Sequence, residues 1–260
     1  MTEDVRTLDY GERGTVIVTA DGNALANLAA SLLQTTIDEA VGAGHDALVA
    51  LSGGSTPKKM GTLLAADPLK SHVAWDRVHV FWGDERWVPI SSTESNAGEA
   101  KRGFLDEAPI PAERVHPFVT EGVTPAVSAA DLEKEIRALQ PDADVPRFDL
   151  IFLGMGDDGH TASLFPATEA VHEELKLVVN NVVPKLDTTR LTFTPPLLNA
   201  AHKVAFLVGG AGKVDMLHQV LDGPVDIDST PCQIVRPTDG TLTWIVDEAA
   251  AAKLDRDGNG

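Results

Sequence analysis

The feature that most constrains this chain is a repeated order of segments: a short apolar run, a glycine-rich or charged loop, then a stretch of helical spacing. The runs are Thr15-Val-Ile-Val-Thr19, His45-Asp-Ala-Leu-Val-Ala-Leu51, Arg77-Val-His-Val-Phe-Trp82, Phe148-Asp-Leu-Ile-Phe-Leu153, Lys203-Val-Ala-Phe-Leu-Val208 and Thr241-Leu-Thr-Trp-Ile-Val246. Near-continuous apolar runs of this length suit strands covered on both faces. Between them, Asp21 to about Val41 carries Leu25, Leu28, Leu32 and Leu33 near helical spacing. Helices are also expected from Pro57 to about Ala66, Asn96 to Leu105, Ala126 to Leu139 and about Lys213 to Leu221, with a last Ala-rich helix after Val246. Such alternation predicts an α/β fold of three layers, a mainly parallel sheet with helices on both faces. No repeat or Pro/Gly/Ser-rich linker divides the 260 residues, so a single domain is expected over 1–260, with 1–13 and 254–260 as frayed termini. Ligands of such folds bind beyond the carboxyl ends of the strands. The loops after Leu51, Trp82, Leu153 and Val208 are therefore the places to look for chemistry.

Composition removes several function classes. Hydrophobic residues make up 43% and charged residues 23%, which argues against global disorder. No run approaches the roughly 18 apolar residues a membrane span needs. Met1-Thr-Glu-Asp-Val-Arg6 has acids where a signal peptide has bases. The single cysteine, Cys232, excludes an intramolecular disulfide and a multi-cysteine zinc site; with no flanking cation it reads as structural. A cytoplasmic protein is the expectation. Lys plus Arg is 21 against 39 Asp plus Glu, a formal charge of −18. That opposes non-specific binding to nucleic acid or to an anionic membrane. An anionic small substrate would need cations and backbone N–H groups gathered locally against this field. The tail Asp255-Arg-Asp-Gly-Asn-Gly260 opens like a calcium loop but lacks the glutamate at position twelve, and reads as a polar tail.

Each of the four loops offers a different chemistry. Leu51-Ser-Gly-Gly-Ser-Thr-Pro57 places two glycines before a helix, with Thr56 as expected N-cap and Pro57 as first helical residue. Free N–H groups and the positive helix end would make an anion site there. Trp82-Gly-Asp-Glu-Arg-Trp-Val-Pro89 sets three charges between two tryptophans, an unlikely face for solvent alone. Gly154-Met-Gly-Asp-Asp-Gly-His-Thr-Ala-Ser-Leu-Phe-Pro166 matches G-x-G-x-x-G through Gly154, Gly156 and Gly159. A dinucleotide reading fails, because Asp157 and Asp158 would repel a pyrophosphate and Pro166 interrupts the helix that should follow. What remains is Asp158-Gly-His160. Histidine is the side chain most easily tuned for proton transfer near neutral pH. Asp158 bonded to one ring nitrogen would fix the tautomer and raise the basicity of the other. Val208-Gly-Gly-Ala-Gly-Lys213 resembles a nucleotide-binding loop only in part: Leu207 stands where the first glycine belongs, and Val214 replaces the hydroxyl residue. Lys213 still suits a phosphate, and Arg190 is a second candidate cation.

Together these motifs resemble the 6-phosphogluconolactonase family, within the wider group that includes glucosamine-6-phosphate isomerases and deaminases. The resemblance rests on Ser52-Gly-Gly-Ser-Thr-Pro57, Gly83-Asp-Glu-Arg-Trp-Val-Pro89, Ser95-Asn96, the Gly154–Pro166 segment, Arg190 and Gly212-Lys213, over about residues 15–246. It implies the glucosamine-6-phosphate isomerase-like fold and a cofactor-independent, metal-free hydrolysis of 6-phospho-D-glucono-1,5-lactone, a step of the oxidative pentose phosphate pathway. The partner is a small phosphosugar lactone, with no nucleic acid and no membrane; the protein would be a monomer or a dimer. The phosphate would sit on the N–H groups of Gly53, Gly54 and Ser55 beside Ser52, with charge from Arg190 and Lys213. His160, oriented by Asp158, would take a proton from the attacking water and return it to the ring oxygen. Arg86, held by an acid such as Asp84, would face the oxyanion.

The nearest rival is the isomerase/deaminase branch. It resembles this chain in the phosphate loop but has Glu-Pro after its Asp-Gly-His motif, where this chain has Phe165-Pro166. It also has Asp-Glu-Tyr where this chain has Asp84-Glu85-Arg86. A rival of another class is a non-catalytic sugar-phosphate sensor, which would bind without turnover. The intact Asp-Gly-His triplet and the acidic charge argue against it.

Overall fold

The structure, a computed structural model, describes residues 6–254. In chain order the elements are β1 (Arg6–Asp9), β2 (Thr15–Thr19), α1 (Gly22–Gly42), β3 (Ala47–Leu51), α2 (Ser55–Leu64), α3 (Leu69–His72), β4 (Val78–Trp82) and β5 (Asp84–Arg86). There follow α4 (Asn96–Ala100), which runs on as a π-helical turn over Lys101–Leu105, α5 (Pro125–Leu139), β6 (Leu150–Leu153), β7 (Val178–Val183) and β8 (Thr188–Phe193). The last are α6 (Pro195–Ala200), β9 (Lys203–Val208), α7 (Val214–Asp222) and β10 (Thr241–Asp247). Among the described residues no helix is long and apolar enough to cross a membrane.

The main sheet has the order β1-β2-β10-β9-β6-β3-β4. Every neighbouring pair is parallel except β1 with β2. All residues of β3 and β6 are buried, and all but the first of β9. Strands with no solvent face must be covered on both sides, which is why the sequence shows continuous apolar runs there rather than alternation. The α/β reading and the parallel sheet therefore hold. Helix α1 starts where Asp21 accepts from the N–H groups of Asn23 and Ala24. It buries Leu25, Ala29, Leu33, Ile37 and Ala40, one stripe at helical spacing, while Leu28 and Leu32 pack at its margin.

Four features depart from the sequence reading. Residues 6–13 are ordered as β1 and a short 3-10 turn, not frayed, because β1 pairs with β2 and buries Leu8 and Tyr10. Residues 1–5 and the calcium-like tail at 255–260 lie outside the described residues. The Ala-rich stretch after β10 forms turns, not a helix. There Asp247 accepts from the N–H groups of Ala250 and Gly210, and these tertiary bonds override a propensity that is weak over so few residues. Helix α2 begins at Ser55 with Gly54 as N-cap, two residues before the expected Thr56 cap. Gly54 has φ 111°, a conformation open to glycine, so the chain turns into the helix sooner and Pro57 falls inside the first turn. The fourth departure is a second sheet, antiparallel, in the order β5-β8-β7. Its register sets Asp84 opposite Thr192, Glu85 opposite Leu191 and Arg86 opposite Arg190.

Candidate active site

The carboxyl ends of β3, β4, β6 and β9 converge with the second sheet on a cavity of about 550 Å³. Ser52 and Gly53 line it from the end of β3, and Asp84 and Arg86 from β5. The loop after β6 contributes Gly154 through Asp158, His160, Ala162, Ser163 and Phe165; Arg190 comes from β8 and Lys213 from the turn before α7. Of the residues expected to catalyse or to bind the phosphate, all but Gly54 and Ser55 line it; those two are the cap and first residue of α2. Asn96, Lys185 and Leu186 also line the cavity.

The β6 loop is folded around its histidine. His160 Nδ1 lies 2.5 Å from Asp158 Oδ1, and the Lys185 ammonium donates to Asp158 Oδ2 at 2.8 Å. Burial would raise the Asp158 carboxyl, but the bonds from Lys185 and His160 outweigh it and hold it at about 2. An ionised carboxylate only accepts, so the ring presents an Nδ1–H to it, and Nε2 is the lone-pair nitrogen of the neutral ring. Phe165 stacks on the imidazole with ring centroids 4.1 Å apart and planes 21° from parallel. The His160 carbonyl accepts from Gly156 N at 2.8 Å, and Cys232 N donates to the Gly159 carbonyl at 2.9 Å. Gly156 is needed for close approach: a Cβ there would stand 2.0 Å from His160 Nδ1 and 2.8 Å from Asp158 Oδ1. Ala162, at φ 47°, adds a backbone conformation that non-glycine residues seldom adopt.

The β5 strand supplies the other wall. Asp84 does not hold Arg86, contrary to the sequence expectation. Its carboxylate accepts instead from Ser163 Oγ at 2.7 Å and from Asn96 Nδ2 at 3.4 Å. Arg86 is steadied through Nη1 on the Glu94 carbonyl at 2.7 Å. Glu85, between them, points the other way and is fully buried. It accepts from the N–H groups of Arg86, Asn96 and Ala97 and from Ser95 Oγ, which ties β5 to the start of α4. Burial pushes its carboxyl up, against those four donors. Lys213 donates to the Met155 carbonyl at 2.8 Å and to Asp157 Oδ1 at 2.5 Å, and that bond lowers the Asp157 carboxyl.

Three buried polar atoms at this cavity have no hydrogen-bond partner in the protein: Ser52 Oγ, Arg86 Nε and Arg190 Nε. Burial, and then the charge of Arg86, hold Arg190 below the ordinary guanidinium value. Two guanidinium Nε atoms and a hydroxyl left without partners at one cavity suit an anion with several acceptor oxygens. Opposite in character, Asp158-His160 offers a base. Among the described residues, no group of three or more His, Cys, Asp or Glu is arranged to hold a metal ion.

Sequence reasoning missed Lys185, Glu85 and Ser163 as parts of this site. Ser163 lies within the Gly154–Pro166 motif and Glu85 within the Asp-Glu-Arg triplet, so their motifs carried a signal. Lys185 had none.

The family model described as glucosamine-6-phosphate isomerases/6-phosphogluconolactonase matches residues 20–244. The chain is similar to the 6-phosphogluconolactonase of Nostoc sp., 42% identical over 242 residues that cover 92% of this chain and 98% of that protein. Among solved structures it is similar to 6-phosphogluconolactonase from Trypanosoma cruzi, with TM-score 0.81 and 28% identity over 96% of this chain and 99% of that one. A monomeric glucosamine-6-phosphate deaminase shares the fold, with TM-score 0.76 and 18% identity over 91% of this chain and 98% of the other.

Proposed function

This chain belongs to the glucosamine-6-phosphate isomerases/6-phosphogluconolactonase family, and we propose that it hydrolyses 6-phospho-D-glucono-1,5-lactone to 6-phospho-D-gluconate. That reaction is the second step of the oxidative pentose phosphate pathway. The observation that carries the reading is what one cavity holds together: the unpartnered Arg86 Nε, Arg190 Nε and Ser52 Oγ, and the Asp158-His160 pair. A phosphosugar lactone has one anionic end and one electrophilic carbonyl, and needs both.

The phosphate is bound by Arg190 and Ser52, with the Gly53 N–H group from the turn into α2. Lys213 adds positive charge from the β9 side, its ammonium shared with Asp157. Gly54 and Ser55 contribute by positioning that turn rather than by lining the cavity. Fixing the phosphate orients the lactone carbonyl toward His160. There His160 Nε2 takes a proton from water as its oxygen bonds to C1. The carbonyl becomes an oxyanion facing Arg86, which is steadied by the Glu94 carbonyl. The C1–ring oxygen bond then breaks, and the imidazolium returns its proton to that oxygen. The new carboxylic acid ionises to water. Asp158 holds the ring and balances the imidazolium charge; Asp84 keeps Ser163 and Asn96 in place. No step calls for a cofactor or a metal. Phe165 stacked on His160 stands where the isomerase branch has its glutamate, so glucosamine 6-phosphate should not be turned over. A cytoplasmic setting fits a protein whose one cysteine is buried and reduced.

The test is the rate of lactone loss above the protein-free blank, with lactone generated in situ and no metal added. Removing one general base costs roughly 10²–10⁴-fold. His160→Ala should lose that much while Asp84, Ser163 and the fold stay in place. Wild-type protein that binds phosphosugars without accelerating hydrolysis would refute the lactonase reading in favour of a sensor.

A further inference from the structure

The Pro184–Leu186 turn between β7 and β8 brings a lysine to the catalytic loop from a distant part of the chain. Lys185 Nζ sits 2.8 Å from Asp158 Oδ2, while the other carboxylate oxygen meets His160 Nδ1 at 2.5 Å. The two oxygens of Asp158 are thus divided between the Lys185 ammonium and the His160 ring. Lys185 is 67% exposed and Asp158 24%. A pair as open as this contributes little to folding and costs side-chain freedom. Its consequence is local: the ammonium fixes the plane of the carboxylate that orients the imidazole.

We propose that Lys185 is a positioning residue for the hydrolysis, acting through Asp158 to hold His160 in place. The inference rests on the reading of His160 as the base. Other charged and titratable groups around the pair come from separate elements. Asp157 flanks Asp158 and is tied to Lys213 before α7. Arg190, Arg86 and Asp84 line the same cavity from β8 and β5. Cys232, behind the loop, is buried, and its Sγ lies 3.5 Å from the His160 carbonyl. The side chains hydrogen-bonded to Asp158 are Lys185 and His160. The Asp158 carboxyl, held at about 2, stays ionised throughout the range in which the reaction is followed.

The experiment measures kcat and KM for wild type, Lys185→Ala, Lys185→Arg, His160→Ala and the Lys185→Ala/His160→Ala pair. Lys185→Ala should lower kcat about tenfold, less than the roughly 10²–10⁴-fold lost with the base itself. KM should hold. Lys185→Arg should restore kcat. In the His160→Ala background, Lys185→Ala should have no further effect, because the two act as a unit. Unchanged kcat in Lys185→Ala, with His160→Ala inactive, would overturn this inference and leave the base assignment standing. A raised KM at constant kcat would also overturn it, making Lys185 a substrate contact. Full activity in His160→Ala would remove the base assignment and this inference together.

Discussion

Arg86 and Arg190 face each other directly across β5 and β8, two guanidinium groups in one cross-strand pair. Like charges so placed destabilise a sheet, by a few tenths to about 1 kcal/mol. Each also has a buried Nε without a partner in the protein. An anion held by Arg190 and Ser52 would offset the like charge and give the Arg190 Nε a partner. Inorganic phosphate should therefore raise the unfolding temperature more than chloride at equal ionic strength. Arg190→Gln should be as stable as wild type or more so without phosphate, and should lose the phosphate increment. An equal increment in both proteins would place anion binding elsewhere.

Glu85 holds the β5 wall without touching the cavity. Its carboxylate accepts four donors, three of them backbone N–H groups of Arg86, Asn96 and Ala97. Glu85→Ala strands those donors in a buried place and should cost about 3 kcal/mol. Glu85→Gln should also be costly, because both oxygens accept and an amide NH2 would meet N–H or O–H donors on either side. Urea unfolding of the two variants measures this; a loss below 1 kcal/mol in Glu85→Ala would show the network to be replaceable by water.

A histidine pair far from the catalytic loop sets a pH dependence of stability. Arg114 donates to His79 Nε2, so His79 carries its proton on Nδ1 and donates to His116 Nε2 at 2.9 Å; His116 in turn donates from Nδ1 to Glu135. Asp46 accepts from Arg114 and Arg77 at the other end. Neither ring has a nitrogen left for a second proton. Burial first, and then His116 and Arg114, depress His79; burial depresses His116 against the pull of Glu135. The unfolded chain binds protons near 6.5 that the folded chain resists, so stability present above that value is lost as pH falls through it. Lowered carboxyls such as Asp158, Asp157 and Asp46 act in a separate window below about 4. His202 is depressed as well, by burial and then by Arg147. Replacing both residues of the pair, His79→Gln with His116→Gln, should flatten the fall in urea midpoint between pH 7.5 and 5.5 in part, as an experimental range. A slope identical to wild type would assign the fall to other groups.

Cys232 gives a probe of the catalytic loop's seating. Burial pushes its thiol well above the ordinary range, so it has almost no thiolate in the folded state. Its backbone N–H also holds the Gly159 carbonyl. A thiol-disulfide reagent should fail to label the native protein and should label it fully in denaturant. Rapid native labelling would mean that the loop opens on the timescale of the reaction.

The parallel sheet was legible because its central strands are buried on both faces, which writes continuous apolar runs into residues 148–153 and 203–208. The β6 loop was legible because its glycines, acids and histidine are contiguous, so the contact of Asp158 with His160 needs only a tight turn. The second sheet was not. β5 is three charged residues and β7 reads Val-Val-Asn-Asn-Val-Val, and neither shows a hydrophobic period that separates strand from loop.

The sequence by itself determined the layered α/β architecture, the glycine-rich turns at the strand ends and the pairing of an acid with a histidine two residues on. Those depend on local spacing and on which segments exclude water. Tertiary structure decided which charges share the cavity. Strand register between residues 84–86 and 188–193 set Arg86 against Arg190; the turn at 184–186 delivered Lys185 to Asp158; and Asp84 was turned to Ser163 rather than to Arg86. The physical reason is range: apolar burial acts on each segment wherever it lies, whereas a hydrogen bond or a cross-strand pair exists only once two distant segments have been brought within about 3–5 Å.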